Sequence, residues 1–166
     1  MTARSGNFLG FLACAGLLGY AYYAQFVLHL EPCPLCIFQR VGVFALSIAF
    51  LVGAIANARG AGRFVIAGLV DLCALVTVGI AAKHLYIQSL PEGSVPSCGA
   101  SLDFMMKIFS LSEVIKKVLS GSGECAQITW RFLGLSMPGW VLIAALILGA
   151  FGLWVNLRRR PKSALR

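Results

Sequence analysis

The sequence predicts an all-α integral membrane protein: a four-transmembrane-helix bundle with a long outer loop that carries a short amphipathic helix. Three observations predict it. Of 166 residues, 59% are hydrophobic and only 12% charged, and the mean hydropathy is +0.86, which is more apolar surface than a soluble domain of this length can bury. The apolar residues fall into four long runs. Three of the segments outside the runs hold Lys and Arg without an acidic residue, and five of the six acidic residues fall in the other two, as expected of segments retained inside and loops passed outside a membrane.

The first run, Phe8 to Leu28, has no charged residue over 21 positions, enough at ~1.5 Å per residue to cross a ~30 Å hydrocarbon core. A signal peptide is the alternative, since Arg4 precedes the run. The stretch is longer than such segments, however, and no small-x-small cleavage site follows it. The second span covers about 36–56, the third about 64–85 and the fourth about 138–157, where Pro138 suits a first helical turn that leaves its N–H unpaired in any case. The breaks at 29–35 and at Asn57 to Arg63 are short, so neighbouring helices are antiparallel. Residues 1–166 read as a single membrane domain.

Arg4, Arg59, Arg63, Arg158, Arg159, Arg160, Lys162 and Arg166 occupy the N-terminus, the 57–63 turn and the 158–166 tail, without an acidic residue among them. The positive-inside rule makes those segments cytoplasmic. Glu31, Glu92, Asp103, Glu113 and Glu124 lie in the remaining loops, 29–35 and 86–137, which therefore face outward. Tyr20, Tyr22, Tyr23, Tyr86 and Trp140 gather near the outer boundary and Trp154 near the inner one, as interfacial aromatics do. The formal net charge of +8 is thus explained by topology, and with no basic, aromatic-laced face nucleic acid is not an expected partner. Asp71, inside the third span, is expected to hydrogen-bond to a neighbouring span, because an ionisable group in a membrane needs a partner or water.

Four of the six cysteines share the outer side: Cys33 and Cys36 in the first loop, Cys98 and Cys125 in the second. Such confinement implies an oxidising compartment. Cys14 and Cys73, inside spans, read as small buried hydrophobes. Three chemistries compete for the outer set. Zinc favours two close pairs that converge, but Cys98 and Cys125 are 27 positions apart without a close Cys or His, so no metal site is expected. A structural bridge between Cys98 and Cys125 would contribute about 3.5 kcal/mol in the chain-entropy model. A bridge from Cys33 to Cys36 closes almost no loop, so stabilisation does not explain that pair, and closely spaced cysteines of this kind commonly do redox work.

Cys36 is expected near the N-terminal end of the second helix, with Arg40 one turn on. The helix dipole and the guanidinium both favour its thiolate. Arg40 reads equally well as an interfacial anchor that snorkels to headgroups. In the second outer loop, Ser110-Leu111-Ser112-Glu113 has the form of a capping box, and Gly121 follows Leu119 as a stop. Leu111, Val114, Ile115 and Val118 then share one face, as in a helix lying on a membrane. Gly121-Ser122-Gly123-Glu124 gives Cys125 freedom to exchange a disulfide.

Over nearly its whole length the chain resembles the DsbB family of bacterial inner-membrane disulfide-bond formation proteins. The resemblance rests on the four spans, on Cys33-Pro34-Leu35-Cys36 with Arg40 four residues on, and on Cys98 in a loop bearing Pro and Gly. It continues through Gly121-Ser122-Gly123-Glu124-Cys125-Ala126, Trp130, Phe132-Leu133-Gly134-Leu135 and Met137-Pro138 with Trp140. The family's general scheme, in which DsbA, DsbB and a quinone keep the periplasm oxidising, is itself the established example of such a couple. The resemblance implies an inner-membrane location, cytoplasmic termini and periplasmic redox loops. It implies an enzyme in which Cys98 and Cys125 take electrons from reduced DsbA, with Cys98 forming the mixed disulfide. Cys33 and Cys36 reoxidise that pair, and Cys36 passes two electrons to a membrane quinone, ubiquinone or menaquinone. It also implies that Arg40, His84 and Met137 line the quinone site, His84 being open to a purely structural role. Gln39 departs from an acidic residue found in some relatives, against an acid–base role there. Two other readings stay open: a specialised relative serving one dedicated oxidase, and a non-enzymatic membrane protein whose disulfides brace its outer loops.

Overall fold

A computed structural model of the chain describes residues 2–58, 60–91, 107, 108, 110, 112, 113, 116, 118 and 123–158. Helix α1 spans Ala3–Phe26, α2 Pro34–Ala56 and α3 Gly62–Gln88, followed by the single turn α4, Gly123–Ala126. A two-stranded antiparallel hairpin pairs β1 (Arg131–Phe132) with β2 (Leu135–Ser136), and α5 runs from Met137 to Leu157. Helices α1, α2, α3 and α5 are each long and apolar enough to cross a membrane. The chain is an all-α, multi-pass membrane bundle.

The helices overrun the apolar runs because their first turns lie where polar residues are tolerated. Thr2 caps α1: its hydroxyl accepts the Ser5 N–H at 3.2 Å and the Ser5 hydroxyl accepts the Thr2 N–H at 3.0 Å. This capping box starts the helix at Ala3 instead of Phe8. Helix α2 takes in Pro34 and Leu35 ahead of the expected start, with Cys33 as its cap. It ends at Asn57, whose N–H still bonds to the Gly53 carbonyl and whose left-handed backbone (φ 42°) then turns the chain out of the helix. The amphipathic helix expected after Ser110 falls largely outside the described residues. At its start, Glu113 accepts the Ser110 N–H at 3.2 Å, one half of the anticipated capping box.

Extensive contacts join α3 to α5, α1 to α2 and α2 to α3, and a lesser seam between α1 and α5 closes the ring. Its centre is Phe50, fully buried with Leu46, Val70 and Cys14. Glycines allow this close approach: a methyl on Gly10 would lie 2.6 Å from the Phe50 ring, and one on Gly152 would meet Phe50 at 3.3 Å and collide with Val70. Small residues at such crossings are how helices pack where lipid supplies no hydrophobic drive between them. Outward, Phe8, Leu12, Val41, Phe44, Ile55, Val65, Leu72 and Ile147 are exposed, the reverse of a soluble surface.

Two polar arrangements lie within the spans. Asn7 and Asn156, both buried, exchange amide hydrogen bonds of 2.9 and 3.0 Å between α1 and α5. Asp71 departs from expectation. It faces Gly149 of α5, but forms no hydrogen bond among the described residues; a glycine offers no side chain to bond.

Candidate functional site

Local geometry sets the first cysteine pair. After α1, the Leu30 N–H bonds back to the Ala24 carbonyl, and His29 takes a left-handed conformation (φ 52°), which turns the chain toward α2. Cys33 then adopts an extended N-cap conformation with Pro34 opening the helix. Its sulfur accepts the Cys36 N–H at 3.4 Å. Cap and third helical residue thereby sit on one side of the first turn, and their sulfurs approach to 3.0 Å, with the Cys33 thiol donating.

The other elements converge on this turn. The last turns of α3 bring in His84, whose Nε2 lies 3.7 Å from the Cys33 sulfur and 3.1 Å from the Cys125 carbonyl oxygen. Gln39, one turn into α2, reaches His84 Nδ1 from its amide nitrogen at 3.0 Å. All three of Gln39, His84 and Cys125 are buried. The thiols of Cys33 and Cys125 are themselves hydrogen-bonded. That bond pulls the Cys33 pKa down, but the Cys36 hydrogen bond, burial and the charge of Cys36 outweigh it and push the Cys33 thiol up to about 12.

Arg40 turns toward α1. Its guanidinium donates to the Gln25 side-chain oxygen and, at 3.1 Å, to the Ala21 carbonyl, and it stands 5.4 Å from the Tyr22 ring centre. The pose is a fork closed by three partners, which the ammonium of a lysine would not reproduce.

These groups border a cavity of about 510 Å³. Cys33, Cys36, Gln39, Arg40, His84 and Gln88 supply part of its polar lining, with Glu31, Gln127, Thr129 and Ser136 also on its wall, and Leu17, Leu18, Val43 and Val141 much of its apolar lining. Aromatic rings form one side: Tyr20 meets Trp130 edge-on at 6.1 Å, and Trp130 stacks on Phe132 at 6.1 Å. Trp140 donates its indole N–H to the Phe132 carbonyl at 3.1 Å. The hairpin makes this wall possible. Leu133 and Gly134, with φ 50° and 81°, form a two-residue turn whose two positive φ values match the strand twist, and Ser136 at its end donates to Gln88 at 2.7 Å. Met137, the first residue of α5, completes the lining beside Pro138.

Six of the seven anticipated site residues thus meet: Cys33, Cys36 and Cys125 with Arg40, His84 and Met137. Cys98 lies outside the described residues. The sequence reading missed Gln39 as the partner of His84, Gln25 as the partner of Arg40, and the hairpin wall. A signal existed for Gln39, a polar residue in an apolar span that must find a partner. Gly134 two residues after Phe132 was a turn signal as well.

Comparison with known proteins places this geometry in a lineage. Residues 3–155 match the family model described as disulfide bond formation protein DsbB. A protein of Nitrosococcus oceani named disulfide bond formation protein B is 50% identical over 154 residues, 93% of this chain and 91% of the relative. Its namesake in Chromobacterium violaceum is 47% identical over 160 residues, 96% of each chain. The one in Hahella chejuensis is 44% identical over 163 residues, 98% of each. With clustered cysteines, four spans and a match along almost its full length, the chain belongs to the DsbB family of disulfide bond formation proteins.

Proposed function

We propose that the protein is a quinone-dependent protein thiol:disulfide oxidoreductase of the bacterial inner membrane that reoxidises a periplasmic DsbA-type oxidase. The observation that carries the reading is the joining of a thiol cluster to a cavity: Cys33 touches Cys125 on one side and Cys36 on the other, and both residues of the first pair line the same space as Arg40, His84 and Met137. That space, about 510 Å³, is of small-molecule size. Flat aromatic rings and aliphatic walls suit a planar ring with an apolar tail, and Arg40 or Gln88 can donate to a ring carbonyl. A bound quinone would supply an acceptor for two electrons and two protons.

The chain's own residues would act in sequence. A thiolate of the reduced partner attacks Cys98 in a Cys98–Cys125 disulfide. The S–S bond breaks, Cys125 leaves as thiolate, and the partner's second thiol resolves the mixed disulfide, so the partner is oxidised and the loop pair reduced. Cys125 then attacks Cys33 of a Cys33–Cys36 disulfide and releases Cys36; Cys98 resolves that bridge. The reduced Cys33–Cys36 pair gives two electrons and two protons to the acceptor and closes its disulfide again. Arg40, held by α1, orients the acceptor, and Gln39 holds the His84 ring against the relay. The positive-inside charge pattern supports cytoplasmic termini and a periplasmic relay.

The test is quinone reduction by the purified protein with a reduced DsbA-type partner, for wild type beside Cys36→Ser and Cys98→Ser. Wild type is expected to turn over and both variants to fail, with Cys36→Ser still able to trap the partner as a mixed disulfide. A wild type that reduces no quinone with a competent partner would overturn the reading in favour of bracing disulfides. Full activity in either variant would overturn the electron order.

A further inference from the structure

Beside its relay geometry, the thiol cluster has the donor set and spacing of a metal site. One ligand atom each from Cys33, His84 and Cys125 lies within 4.8 Å of the other two. The three come from separate elements: the cap of α2, the last turns of α3, and α4. Each is at most 9% exposed. Tetrahedral zinc, with Zn–S about 2.3 Å and Zn–N about 2.0–2.1 Å, sets a sulfur and a nitrogen ligand about 3.6 Å apart and two sulfurs about 3.8 Å apart. Cys33 Sγ and His84 Nε2 are 3.7 Å apart. Cys36 Sγ adjoins the site, 3.0 Å from Cys33 Sγ, but does not belong to the group of three whose ligand atoms all lie within 4.8 Å of one another.

The surroundings also fit. A metal-bound histidine commonly donates its second ring N–H to an oxygen that fixes its orientation. The Gln39 amide stands 3.0 Å from His84 Nδ1, and a half-turn of that amide presents its oxygen there, the two amide orientations being nearly equal in shape. We propose that the reduced protein binds one thiophilic divalent cation of the zinc class through Cys33, Cys125 and His84, with solvent in the fourth position.

The balance is simple. Each ligating thiol gives up its proton to solvent, and the His84 proton moves from Nε2 to Nδ1, so the imidazole stays neutral and no electron is transferred. With Cys33 and Cys36 joined in a disulfide, Cys33 has no thiolate to offer and the site does not exist. Cation binding is therefore specific to the reduced state. It pins α4 to α2 and α3 and keeps both relay sulfurs from attacking a disulfide.

The experiment uses the full chain in detergent, reduced anaerobically and freed of reductant, with Zn2+ in competition with a chromogenic chelator and Co2+ as a spectroscopic stand-in. Reduced wild type is expected to retain one equivalent and the oxidised protein none. Cys33→Ser and Cys125→Ser should abolish retention, Cys73→Ser and Cys98→Ser should keep it, and Gln39→Leu should weaken it roughly tenfold to a hundredfold. Co2+ on the wild type should give the tetrahedral pattern with thiolate charge transfer, a readout that needs no variant to fold. An octahedral spectrum without charge transfer, retention by the oxidised protein, or loss with Cys98→Ser would overturn the proposal. None of these measurements depends on quinone chemistry.

Discussion

At the scale of single residues, two cysteines three positions apart differ because one caps a helix and the other lies inside it. Cys33 is surrounded by Cys36, Cys125 and His84, and its thiol is pushed up to about 12. A raised pKa keeps the group protonated far above neutral pH. In the reduced, metal-free protein, alkylation of Cys33 followed by peptide mass spectrometry is therefore expected to stay slow through neutral and mildly alkaline pH. The inflection near about 8.5 that an ordinary thiol shows should be missing. An inflection there would mean that Cys33 is not the hydrogen donor of the pair. The cysteines proposed to react were legible in the sequence, because their type and their confinement to one side announce them. Their order of contact was not, since Cys125 meets Cys33 only through a chain path of some ninety residues.

Among elements, helix crossings depend on where glycine is needed and where it is merely present. Gly10 faces the Phe50 ring, whereas a methyl on Gly19 of the same helix would meet nothing within 4 Å. Gly10→Ala is expected to cost about 1–3 kcal/mol through overpacking, and Gly19→Ala to be neutral or stabilising by about 0.5–1 kcal/mol, since alanine is the better helix former. Unfolding in detergent micelles compares them; equal effects would remove Phe50 as the wedge between α1 and α5. Hydropathy showed that helices occur at these places, yet it is blind to which face of an apolar helix turns inward. The inward and outward faces of α1 are both apolar, and only packing tells Cys14, fully buried, from Leu12, 48% exposed. The hairpin was hidden for another reason. Its strands are two residues long, too short for any alternation to be seen.

For the whole molecule, the bundle is closed by its chemically distinct seam. Between α1 and α5 the Asn7–Asn156 pair satisfies two buried amides at once. Asn7→Leu is expected to destabilise the protein by roughly 0.6–2 kcal/mol, and Asn156→Leu by a similar amount. The double variant should lose less than the sum, because each single change strands the other amide. Strict additivity in a detergent unfolding cycle would show that the pair is not coupled. The bundle class was legible from four apolar runs, but this closure was not, because two asparagines 149 positions apart carry no local pattern. That separation also has a meaning in time. At roughly 5–20 residues per second of synthesis, on the order of ten seconds or more pass between the making of Asn7 and that of its mate. Until then α1 can pair with α2 while its amide waits. The ring therefore closes only when the last helix arrives, and the cavity that depends on α5 and its hairpin is finished last.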